Sequence, residues 1–104
     1  MGTEKNNVKG KVKTDMVVVQ AEGLPSTYIG DEIAFMSIKN SKYYGLDSVG
    51  TRIWALIEQP RQISEVVDEL LKEYDVERTT CEDNVLELME RLLEEDLIHI
   101  VKKN

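Results

Sequence analysis

Lys42-Tyr43-Tyr44-Gly45-Leu46-Asp47-Ser48-Val49-Gly50-Thr51-Arg52-Ile53-Trp54 is the stretch where the chain changes rhythm. Lys42 to Leu46 is short and aromatic, with the composition of a strand. From Val49 on, the apolar residues Val49, Ile53, Trp54, Leu56 and Ile57 recur at spacings of three and four, the period of an amphipathic helix. Asp47 or Ser48 supplies the side-chain oxygen that starts such a helix. Strands before this point and helices after it predict an α+β domain.

On the strand side, Met16 to Gln20 is β-branched and reads as a strand. Gly23, Pro25, Ser26 and Gly30 punctuate a loop of about ten residues, long for a connection. Ile33 to Lys39 reads as a second strand, with Ala34, Met36 and Ile38 on one face and Ser37 and Lys39 on the other. Asn40-Ser41 is a tight turn into the third strand. The first 46 residues therefore predict a three-stranded antiparallel meander. Met1 to Thr14 is polar and rich in Gly, Lys and Asn, and reads as a flexible tail (1–14) ahead of a single domain (15–104).

On the helical side, the first helix runs to about Glu58 and ends at Gln59-Pro60. Ser64 caps a second helix that buries Val66, Val67, Leu70, Leu71 and Tyr74. Thr80 with Asp83 has the form of a capping box opening a third, which carries Val85, Leu86, Leu88, Met89, Leu92 and Leu93 and stops near Asp96. Leu97 to Val101 is a short closing strand. A three-stranded antiparallel sheet followed by three helices is winged helix-turn-helix-like.

That shape suggests DNA binding, and the charge opposes it. The 104 residues carry 13 Lys and Arg against 20 Asp and Glu, a net of -7. Met1 to Leu46 holds six Lys and five acids, a net of +1, so the helical part carries -8. The third helix, the one a DNA reader would use, has seven acids between Thr80 and Asp96 and one base, Arg91. Such a surface repels phosphates. A winged-helix transcription regulator is thus the alternative reading, and nucleic acid is not expected as a partner. No apolar run approaches the ~20 residues of a membrane span, and a single Cys fits a reducing compartment, so the expected location is cytoplasmic.

Catalytic chemistry is not legible. Cys81 and His99 are the only Cys and His, which excludes a Cys/His metal site, and Gly23, Gly30 and Gly45 lack phosphate-loop spacing. The carboxylates fall on helix faces as solvated runs. The chain reads as a binding protein, not an enzyme, with no cofactor and no metal. A meander has edges, and an edge exposes unpaired N–H and C=O groups to which an extended peptide can add. The third strand suits this. Gly45 either permits close backbone approach or marks a turn or bulge. At least one of Tyr43 and Tyr44 packs in the core.

The series Tyr43-Tyr44-Gly45-Leu46-Asp47, Val49-Gly50-Thr51-Arg52-Ile53-Trp54, Glu73-Tyr74-Asp75-Val76, Asp83-Asn84-Val85, Leu88-Met89, Leu92 and Leu97 resembles the PqqD-like family of RiPP recognition elements. The similarity spans about Met16 to Val101 and is greatest to the stand-alone lasso-peptide leader-binding proteins. The family often has Gly where Gln59 and Asp96 stand, both helix ends. The resemblance implies binding of the leader of a precursor peptide, antiparallel to the third strand. It further implies delivery to a leader peptidase and a macrocyclase. It implies a groove between that strand and the third helix, with Tyr43, Tyr44, Gly45, Leu46, Cys81, Asn84, Val85, Leu88 and Arg91 as the candidate leader-binding set. Val85 also belongs with Met89 and Leu92 to a core stripe; Leu88 in the core, with Asn84 and Arg91 as plain surface, stays open. Ile53, Trp54, Leu56, Leu70 and Tyr74 are expected in the core. The state is a monomer or an edge-strand dimer.

Overall fold

In the computed structural model, which describes residues 12–37 and 41–102, the strands divide between two sheets. Val17–Gln20 (β1) does not join the meander. It lies between Arg61–Gln62 (β5) and Ile98–Val101 (β6), antiparallel to both, in the order β5-β1-β6. The expected meander exists, but its first strand is Ser26–Ile29 (β2), followed by Glu32–Ser37 (β3) and Lys42–Gly45 (β4), in the order β2-β3-β4. The fold class stands as α+β. What differs is which strand opens the meander. Gly30 does not belong to a long loop. With φ 66° it sits in the two-residue turn between Ile29 and Glu32, a conformation that favours Gly. Ile38 to Asn40, the expected end of the second strand and half of its turn, lie outside the described residues.

The alternation expected in β3 is present, and the face that carries Ser37 is the core face. Ile33, Phe35 and Ser37 are buried, while Ala34 and Met36 are half-buried. Both faces satisfy a period of two, and the face carrying the aromatic ring wins because it meets Trp54. The Phe35 and Trp54 ring centroids are 4.9 Å apart.

Three helices follow: Ser48–Leu56 (α1), Ile63–Glu73 (α2) and Arg78–Glu94 (α3). Asp47 caps α1 as read, its Oδ1 accepting from Gly50 N at 2.8 Å. The other two caps differ. Gln62, not Ser64, precedes α2, and its backbone N–H donates to Glu65 Oε1, closing a capping box. α3 starts two residues before Thr80, behind Glu77, without a side-chain cap bond. Its first turn is held by Arg78, which bonds Asp68 at 2.7 Å and Glu82 at 3.2 Å.

α3 ends as a Schellman motif. Asp96 N donates to Leu93 O and Leu97 N to Leu92 O, with Asp96 at φ 62°. This left-handed position is one where the resembled family often has Gly. Met89, Val85, Val66, Val67, Ile57, Ile63, Val18 and Leu97 fill one core. That core starts earlier than the expected tail boundary: Val12 is buried, and Thr14 O accepts from Ser64 N at 2.8 Å. Among the described residues, no helix is long and apolar enough to cross a membrane.

Candidate functional site: the open edge of β4

Among the described residues β4 has one hydrogen-bonded neighbour, β3, and forms an edge of its sheet. Opposite residues are Ala34 and Gly45, Phe35 and Tyr44, Met36 and Tyr43, and Ser37 and Lys42. Leu46 N donates to Ile33 O at 3.0 Å, which sets the phase of the ladder. In an antiparallel pair the bonded residues alternate. Tyr44 and Lys42 therefore turn their backbone groups toward β3, as Leu46 does. Tyr43 and Gly45 turn theirs to the open side. The edge thus offers two N–H and two C=O groups with the spacing of a further strand.

The side chains obey the same alternation. Tyr43 is 80% exposed, whereas Tyr44 packs against the core with its ring centroid 6.5 Å from that of Phe35. One tyrosine in and one out matches the sequence reading. Gly45 is an ordinary strand residue without positive φ, and nothing lies within 4 Å of where its Cβ would be, so the space beside the edge is open.

A groove runs between this edge and α3. Its first segment, about 330 Å³, is lined by Tyr43, Tyr44, Gly45 and Leu46 on one side, and by Leu88, Arg91, Leu92, Glu94, Glu95 and Leu97 on the other. Gly45, Leu46, Leu88 and Arg91 continue into a second segment, about 550 Å³, with Asp47, Val49, Gly50, Ile53 and Asn84. Val49, Ile53 and Asn84 lead into a third, about 350 Å³, closed by Leu70, Tyr74, Asp75, Val76, Cys81 and Val85. A separate cleft of about 560 Å³ lies between the 20–24 loop, Trp54 and residues 58–60, and touches neither β4 nor α3.

Six of the nine candidate residues meet in the first segment beside the edge: Tyr43, Tyr44, Gly45, Leu46, Leu88 and Arg91. Asn84 is exposed and joins them one segment on. Leu88 is half-buried and Arg91 exposed, so both point along the wall. Cys81 and Val85, at 5% and 1% exposure, belong to the core and form only the floor of the far segment. Burial pushes the Cys81 thiol up, so it stays protonated, unlike a nucleophile. His99 is exposed on β6, away from the groove. Leu46 is also largely core, at 8%.

Sequence reasoning missed Val49 and Tyr74. Both were assigned to buried stripes, yet each is 38% exposed and lines the groove. Val49 stands in the first turn of α1, where the helix overhangs the groove. Tyr74 is the C-cap of α2, already extended at φ -127° and ψ 142°, so helical periodicity no longer governs its direction. Leu92 was read as core and is, and Leu97 is buried too, but the edges of both also face the groove.

Electrostatically, the wall is mixed. Arg91 is the groove's cation, with Glu94 and Glu95 one turn further along α3. Arg52, at the back of α1, is engaged elsewhere: it grips Glu73 by two nitrogens, at 3.0 and 2.7 Å. Among the described residues no cluster of His, Cys, Asp and Glu is arranged to hold a metal ion.

Residues 17–98 match the sequence profile of a family described as coenzyme PQQ synthesis protein D, PqqD. Among solved structures, the chain is similar to TbiB1 in complex with the TbiA(beta) leader peptide. The identity is 30% and the TM-score 0.71, over 82% of this chain and 99% of that one. No protein of curated description matches.

Proposed function

The chain belongs to the PqqD family, and from that premise we propose that it is a non-catalytic recognition element for the leader of a ribosomally made precursor peptide. The observation that carries this reading is the open β4 edge beside an apolar-walled groove, in a chain 30% identical to a protein solved with a leader peptide. The leader adds as a strand antiparallel to β4, bonding to the backbone of Tyr43 and Gly45. Its alternate side chains drop against Leu88 and Leu92, while Asn84 and Arg91 meet polar and acidic positions. Backbone pairing holds the strand, and the groove chooses the sequence.

The bound leader is then presented to a leader peptidase and a macrocyclase, with a lasso peptide as the product class. The acidic face of α3 (Asp83, Glu87 and Glu94 are exposed) disfavours the DNA-binding alternative. The test is direct. A fluorescently labelled leader from the precursor encoded beside this chain should bind with a Kd at or below about 1 μM, near -8 kcal/mol. Failure to bind any such leader ends the proposal. Leu88→Asp should abolish binding while leaving the helical circular dichroism intact, and unchanged affinity would clear Leu88 of a role. Genes for a short precursor, a peptidase and an asparagine-synthetase-like cyclase beside this one would establish the lasso assignment.

A further inference from the structure

In the segment Asp47 to Trp54, Ile53 and Trp54 are buried in the core, and the polar residue Thr51 is buried beside them. Ile33 and Leu46 stand opposite each other one step beyond the last pair of the β3–β4 ladder. An antiparallel pair in that phase makes two reciprocal bonds. One is direct, Leu46 N to Ile33 O at 3.0 Å. The other runs through a side chain. Thr51 Oγ1 accepts from Ile33 N at 3.0 Å and donates to Leu46 O at 3.2 Å. The hydroxyl, on a residue only 8% exposed, is thus built into the end of the sheet as if it were part of the ladder.

The same turn brings α1 against the strand end. Thr51 N donates to Asp47 O at 2.8 Å. A Cβ at Gly50 would stand 3.2 Å from Leu46 Cβ and 3.3 Å from Asp47 Oδ1. Gly50 has no special φ; it is small because Leu46 occupies the space.

We propose that Thr51 is a positioning residue for the peptide-binding edge, fixing Gly45 and Leu46 relative to α1 and so the width of the groove. This rests on the leader-binding reading above. Without the hydroxyl, Ile33 N and Leu46 O are buried polar groups that must reach each other directly. That closure draws the strand end inward and moves Gly45, whose N–H and C=O serve the incoming strand. Thr51→Val removes the hydroxyl at constant shape. Thr51→Ser keeps the hydroxyl and loses the methyl.

The experiment measures anisotropy of a fluorescein-labelled synthetic leader, the one encoded beside this chain, with amide NMR of the free protein in parallel. Thr51→Val should weaken the leader Kd by about tenfold with helical circular dichroism retained, and Thr51→Ser should bind within about threefold of the parent. A merely structural role would cost both variants affinity alike or neither. Unchanged binding in Thr51→Val, or Ser failing as badly as Val, overturns the proposal. Gly50→Ala should cost about threefold, and if Thr51→Val does not fold, unchanged affinity in Gly50→Ala overturns it instead. If the parent binds no leader, the functional reading fails on its own, and the amides decide this inference. In Thr51→Val the Ile33 amide should exchange about tenfold faster and the Tyr43 and Gly45 resonances should move. Unmoved resonances with unchanged exchange would overturn it.

Discussion

β1 and β4 are both four-residue strands, yet they do opposite work. Val17-Val18-Val19-Gln20 is gripped on both sides, by β5 and β6, and Val18 is completely buried. Among the described residues Lys42-Tyr43-Tyr44-Gly45 is gripped on one side, and Tyr43 is the most exposed of the large apolar side chains. The first strand spends its backbone bonds holding distant parts of the chain together. The second turns the backbone groups of Tyr43 and Gly45 away from its sheet. Edge strands commonly carry Pro, a bulge or an inward charge to block such pairing. The described part of β4 has none of these beyond the terminal Lys42. An unguarded edge next to a groove is what the proposed reading, a leader added as a further strand, calls for.

The contrast can be broken from either side. The largest effect is expected at β1. Val18→Asp places a carboxylate at 0% exposure, at a cost of about 4 kcal/mol or more, and urea unfolding should find little native protein. Next comes β4. Tyr43→Pro removes one of the outward N–H groups. It should weaken leader binding about tenfold in a titration, roughly 1.4 kcal/mol, while shifting the melting temperature by only a few degrees. If Tyr43→Pro melts as badly as Val18→Asp, the edge is structural and the distinction between the strands fails.

Away from both strands, Asp96→Gly should stabilise by about 0.5 kcal/mol, because Asp96 is held at φ 62° in the cap of α3. A thermal melt should rise by about 2–4 °C without any change in leader affinity. The smallest effect is expected at the exposed Arg52–Glu73 pair. The Arg52 hydrogen bond holds the Glu73 carboxyl below its ordinary value. The pair's contribution is therefore present above the unfolded carboxylate range and lost as pH falls through the folded pKa. Arg52→Gln should lower the melting temperature slightly at pH 7, and the difference should shrink as the pH falls through the carboxylate range.

Local pattern carried much of this fold. The change of period at Asp47, the Asp47 cap, and the buried stripe of Val85, Met89 and Leu92 all follow from residues within a few positions of each other. What escaped depends on distant partners. Nothing near Val17 says that it will pair with Val101 or with the two-residue strand at Gln62. Nothing in the alternation of β3 says which face Trp54 will claim. Gln62 displaced Ser64 as a cap because Gln62 is fixed by β5 and by its side-chain bond to Asp15 O at 3.1 Å, a tertiary constraint that overrides cap preference.

The candidate site divides the same way. Tyr43, Tyr44, Gly45, Leu88, Asn84 and Arg91, which the family resemblance implies, line the groove. Cys81 and Val85 lie further round α3 on its buried side, by less than the ~100° between successive residues, a distinction that spacing alone does not resolve.

The Cys81 thiol, finally, is a reporter built into the protein. It is the chain's single cysteine, and it lies at 5% exposure under the first turn of α3, at the closed end of the groove. A thiol this buried reacts fastest when its surroundings open, so the labelling rate reports local opening. A peptide seated along the groove should pin the turn down. The rate at which the native protein takes up one equivalent of a disulfide reagent then becomes a clock for groove occupancy, without any engineered probe.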